Sequence, residues 1–149
     1  MPSTADPNPE YWEDYGPFQK IKHDLIRSYL GGWFAKLGTW AGRVIYVDTH
    51  AGRGRYASGE PGSPLVALQT LLTHSHRDRL IRQSEFRFLF IERDPENLDA
   101  LRLELAAFGQ LPPRIFVDTV ATDAFTELAG QVDRLSRGGQ KLAPAFIFV

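Results

Sequence analysis

Four short apolar runs alternate with amphipathic stretches along this chain, and that alternation constrains the fold more than any other feature. The runs occupy residues 43–48, 86–91, 115–117 and 145–149, and the first, with Val44, Ile45, Tyr46 and Val47 in succession, is apolar on both faces. A strand written that way belongs in the middle of a covered parallel sheet. Between the runs, Leu65, Val66, Leu68, Leu71 and Leu72, then Leu98, Leu101, Leu105 and Phe108, then Phe125, Leu128, Val132 and Leu135 recur at helical spacing. Ser63-Pro64 reads as an N-cap followed by proline at the first helical position, and Asp94-Pro95 as a second helix start. Asp123 opens the third helical pattern and Gly138-Gly139 closes it, while the polar tract 74–84 continues or follows the first. Strand and helix alternating four times predict βαβ units with right-handed crossovers: an α/β, Rossmann-like domain with a mostly parallel sheet.

A helix precedes the first strand. Ile21, Leu25, Ile26, Tyr29, Leu30, Trp33, Phe34 and Leu37 form one apolar stripe, and Gly38 and Gly42 end it. Gly31 and Gly32 lie inside that helix and cost about 1 kcal/mol each against alanine, so a kink or a close packing partner is expected there. Trp33 and Trp40 are expected in core or helix-end packing. Residues 1–17 carry four prolines and no hydrophobic period, which predicts an extended arm whose Tyr11, Trp12 and Tyr15 are free to dock elsewhere. Residues 18–149 then form one domain's worth of chain.

With no cysteine, the chain has no disulfide framework, cysteine nucleophile or iron–sulfur cluster. A formal net charge of −1 gives no global attraction to nucleic acid. Lys20, Lys22, Arg27, Lys36, Arg43, Arg53 and Arg55 do crowd the first third, and are read first as solvated faces. His74 and His76, two apart on a helix, point in different directions and make a poor metal pair. No apolar run is long enough to span a membrane, and the polar, acidic N-terminus is unlike a signal peptide; a cytoplasmic protein is the expectation.

The segment "VDTHAGRGRYASGEPGSP" carries the chemistry. Asp48 ends the first strand, and the loop after it places glycines at 52, 54 and 59 where a ligand-binding crevice opens beyond the strand ends. A dinucleotide fit is poor, because the loop runs on to Gly62 before any helix and the next strand-end acid, Glu92, is too distant. No Gly-Lys-Ser/Thr triplet offers a phosphate loop. S-adenosylmethionine fits better. Lacking phosphates, it needs no anion-gripping helix end. Its ammonium and sulfonium favour a carboxylate, which is Asp48. Its ribose hydroxyls suit an acid after the second strand, which is Glu92. Its adenine amino group suits an acid after the third, for which Asp123 is the candidate, although Asp123 reads equally well as a helix cap.

The series "KHDLIRSYL" from Lys22 with Trp33, "YVDTHAGRGRY" from Tyr46, "GSPL" from Gly62 and "FIE" to Glu92 resembles the three-Cys-motif partner family. Its members are similar to class I S-adenosylmethionine-dependent methyltransferases. The "DTHAG" piece also looks like adenine methyltransferases acting on ribosomal RNA. The resemblance implies that Asp48, Ala51, Gly52 and Gly54, with His50 among them, form the cofactor loop, and that Glu92 meets the ribose. It implies further that Lys22 and His23, with Tyr56, fold over cofactor or substrate. In that family an Asp-Pro motif at the reacting centre follows the fourth strand, so 18–149 is expected to be the N-terminal part of a seven-stranded domain. The expected function is a methyltransferase acting on a nucleic acid base. The rival is a non-catalytic Rossmann-like module that works by associating with a second protein.

Overall fold

The computed structural model describes residues 16–123, 126–130 and 143–148. Helix α1, Pro17–Gly38, leads into strand β1, Arg43–Asp48. Then come α2, Ser63–Leu72, α3, Arg77–Gln83, and β2, Glu85–Ile91. The series closes with α4, Pro95–Ala106, β3, Ile115–Val120, and β4, Ala145–Phe148. All strand pairs are parallel, in the order β3-β2-β1-β4. The predicted α/β, Rossmann-like architecture is therefore the observed one. The third run is longer than predicted, because Thr119 and Val120 continue the ladder opposite Phe90 and Ile91.

The order places the topological reversal at β1. The chain steps outward from β1 to β2 to β3, then returns to the far side of β1 as β4. The C-terminal ends of β1 and β4 consequently flank the position where ligands bind in open α/β sheets. One face of the sheet holds an aromatic row. Phe88, Tyr46 and Phe146 lie opposite one another in register, and Tyr46 stacks on Phe146 with ring centroids 5.6 Å apart and planes 6° from parallel. Helix α1 closes over this row, with Phe34 edge-on to Phe86 and Phe88 and Trp33 edge-on to Phe146. Gly38 belongs to the same packing, since a Cβ there would lie 2.8 Å from the Phe86 ring and 3.0 Å from Leu80.

Several local expectations are corrected. The apolar stripe of α1 is two rows rather than one: Ile26, Leu30 and Phe34 are buried, while Phe18, Ile21, Leu25 and Tyr29 are exposed. Neighbouring helix rows sit about 100° apart, so only one of them can face the sheet fully. Among the described residues, nothing outside the helix's own backbone and the chain neighbours lies within 4 Å of where a Cβ would stand on Gly31 or Gly32, so none of those residues is a packing partner that explains them. Trp40 is 68 % exposed in the turn after α1 rather than packed. His74 and His76 are not on a helix; they lie in the link before α3, with ring centroids 5.8 Å apart. The arm and most of the helix expected after Asp123 lie outside the described residues, although 126–130 are helical.

Candidate functional site

The site grows from the last residue of β1. Asp48 is wholly buried, at 0 % exposure. Its Oδ2 accepts a hydrogen bond from the Ser63 hydroxyl at 2.5 Å, and its Oδ1 accepts the His50 backbone N–H at 3.2 Å. Burial pushes this carboxyl up to about 6, against the opposing pull of those two hydrogen bonds and of the Lys22 charge, while the Glu92 charge adds to the rise. Lys22 and Glu92 thus both act electrostatically on Asp48, although the three come from the N-terminal helix, the turn after the neighbouring strand and β1.

Ser63 is the residue that sequence reasoning misassigned. The N-cap of α2 is Gly62, and Ser63 is already helical with its hydroxyl spent on Asp48. A buried carboxylate needs a donor, and this one lies fifteen residues along the chain. The Ser-Pro pair gave the helix start to within one residue but could not reveal that contact.

From Thr49 the backbone bends across the end of β2. Ala51 N–H donates to Ile91 O at 3.0 Å, and Gly52 N–H donates to Glu92 Oε2 at 2.8 Å. The other Glu92 oxygen, Oε1, accepts Asp94 N–H at 2.9 Å. Glu92 therefore clamps the glycine loop to the start of α4. Gly52 has φ +74°, which a side chain would strain. Gly54, at φ +96°, serves a different contact. A Cβ on it would sit 3.1 Å from Glu104 Cγ and 3.4 Å from Leu101, so glycine lets the loop lie against α4. Arg55 completes that seam with a 2.8 Å ion pair to Glu104 and a hydrogen bond to Gly59 O. Arg55 thus grips its own chain, as Arg27 does through Asp24 and Arg43 through Glu85. Much of the basic crowding seen in the sequence is surface ion pairing.

His50 is exposed at the rim, and its tautomer follows from its partners. Thr49 Oγ1 lies 3.0 Å from Phe148 O, a distance two oxygens keep only with a proton between them, so the hydroxyl donates to the carbonyl. His50 Nδ1, 2.9 Å from the same Oγ1, must then be the donor of its own bond. In the neutral ring this assignment leaves the His50 Nε2 lone pair as an acceptor at the junction of β1 and β4.

Helix α1 supplies the other wall. Lys22 Nζ stands 4.8 Å over the Phe148 ring, and the His23 ring lies 6.0 Å from that of Tyr56. His23 and Tyr56 are both buried. Burial first, then the Arg27 and Lys22 charges, depress His23 to about 4, so the ring is neutral near pH 7. The residues brought together are therefore Lys22, His23, Asp48, His50, Ala51, Gly52, Tyr56 and Glu92, with Ser63 and Phe148 added by the fold. Gly54 is turned to α4. Asp123 lies beyond the end of β3 and accepts both the Thr126 N–H, at 2.9 Å, and the Thr126 hydroxyl, at 2.6 Å, so it caps the helical residues 126–130.

Among the described residues no group of three or more His, Asp or Glu is placed to hold a metal ion, and no helix is long and apolar enough to cross a membrane. No protein-family model matches the chain, and no curated protein matches it.

Proposed function

We propose that this chain binds S-adenosylmethionine in the crevice at the C-terminal ends of β1, β2 and β4, and is a methyltransferase-like protein whose substrate is a nucleic acid base. The observation that carries the reading is the Glu92 clamp. Each of its oxygens takes one backbone N–H, and each keeps a second acceptor site, the pattern that suits two vicinal ribose hydroxyls. The loop 49–62 folds on itself and onto α4 before α2 begins, so it is not the short turn straight into a helix that a pyrophosphate site uses. The Lys22 charge, which acts on the buried Asp48, would meet the other end of the ligand.

When bound, the cofactor would supply an electrophilic methyl group to the nucleophile's lone pair, with the carbon–sulfur electron pair left on sulfur. The protein contributes mainly positioning. His50 Nε2 is suited to take the proton that the nucleophile loses.

Calorimetry on this chain tests the reading. S-adenosylhomocysteine should give binding heat and NADH none, and Glu92→Ala should weaken the former by about 1–3 kcal/mol. Heat with NADH alone would overturn it. The second reading, a module that acts by protein association, is favoured by a different observation. The exposed row Phe18, Ile21, Leu25 and Tyr29 lies beside β4, whose outer side pairs with no described strand. Heat with neither ligand would favour that reading.

A further inference from the structure

The glycine pair in α1 has none of the usual reasons to be glycine. Both residues sit inside a continuous helix, neither has positive φ, and among the described residues no atom beyond the helix's own backbone and the chain neighbours lies within 4 Å of either missing Cβ. Alanine at either place would favour the helix and meet no obstacle. What glycine does provide is a weak point in the backbone, and the two sides of that point differ in how firmly they are held.

On the C-terminal side, Phe34 is buried among Phe86 and Phe88, and Gly38 is in close contact with Phe86 and Leu80. On the N-terminal side His23, Ile26 and Leu30 face inward, while Phe18, Ile21, Leu25 and Tyr29 are open to solvent. That lighter side is the one that carries Lys22 onto Phe148 and His23 onto Tyr56. A latch stands at the weak point itself. His74 Nδ1 accepts the His76 N–H at 3.0 Å, so its Nε2 bears the proton and donates to Gly31 O, also at 3.0 Å. An extra donor on a mid-helix carbonyl is one of the recognised causes of helix bending.

We propose that Gly31–Gly32 is a hinge about which the N-terminal part of α1, residues 17–30, lifts as a lid from the C-terminal ends of β1 and β4, with His74 holding the hinge in the closed position. The proposal deepens the cofactor reading by giving its crevice a gate. It is tested without any ligand, so the two readings fail separately.

Amide hydrogen exchange on the whole chain is the experiment. In the wild type, amides 20–30 should exchange together as one unit, faster than amides 33–38, with a step at 31–32. The double variant Gly31→Ala/Gly32→Ala should erase the step and slow the 20–30 group by about tenfold. His74→Leu should speed that group and leave 33–38 unchanged. A smooth gradient of protection from the helix start inward is ordinary fraying and overturns the proposal. So does a step that survives the double variant. If the alanine variant fails to fold, His74→Leu decides, and uniform change along all of α1 overturns the hinge. A step without S-adenosylhomocysteine binding would retire the cofactor reading and leave the hinge standing.

Discussion

Replacing Asp48 with asparagine tests whether a wholly buried carboxylate organises the loop. Asparagine keeps the shape, can accept the His50 N–H, and can donate to Ser63 Oγ, so it mimics the protonated acid. The groups facing Asp48 are the Tyr46 hydroxyl on β1, Ser63 on α2, Lys22 on α1, and His50 and Glu92 in the two adjoining loops. A carboxyl whose titration rises from 3.8 to about 6 holds its proton about 3 kcal/mol more tightly in the folded chain than in the unfolded one. That stabilisation is fully present below pH 3.8 and is lost as pH rises through 6. Stability of the wild type minus that of Asp48→Asn should therefore fall by about 2.4 kcal/mol between pH 4 and pH 7, read by urea unfolding at each pH. The wild-type curve alone would mislead. His23, depressed to about 4, contributes stability that is present above 6.5 and lost as pH falls through 4, the opposite slope in the same window. His23 is buried too, so its slope opposes that of Asp48 across the same window. Both proteins share that slope, so the difference isolates Asp48. A difference that stays constant to within about 0.5 kcal/mol from pH 4 to 7 would refute the reasoning.

Three further substitutions probe the same frame. Tyr46→Phe removes a buried hydroxyl with no hydrogen-bond partner among the described residues, so stability should be unchanged or rise by about 1 kcal/mol, and a loss beyond that in urea unfolding would mean the hydroxyl is bonded. Gly54→Ala meets both a left-handed backbone and Glu104, whereas Gly59→Ala meets only φ +91° with open space around it; thermal unfolding should show the first costing about 2–3 kcal/mol and the second about 1. Glu92→Gln keeps the shape of the clamp but sets an amide NH2, which cannot accept, against one of the two backbone N–H groups, and should cost about 1–3 kcal/mol of stability, with faster amide exchange at Gly52 or Asp94.

The sequence by itself determined what depends on near neighbours. Val44 to Val47 specified a strand, Asp94-Pro95 specified a helix start that the Asp94 side chain does cap, and glycines 52 and 54 marked a backbone that turns left-handed. Each of these follows from the conformational preferences of a few adjacent residues. The tertiary structure decided which of two neighbouring apolar rows of α1 meets the sheet, since periodicity fixes an angle but not a partner. It decided that Ser63 serves Asp48 rather than its own helix, that Glu92 bonds Gly52 forty residues away, and that β4 returns beside β1 to bring Phe148 under Lys22. Those contacts join segments far apart in the chain. Their identity depends on strand order, which the alternation of strand and helix allows but does not specify.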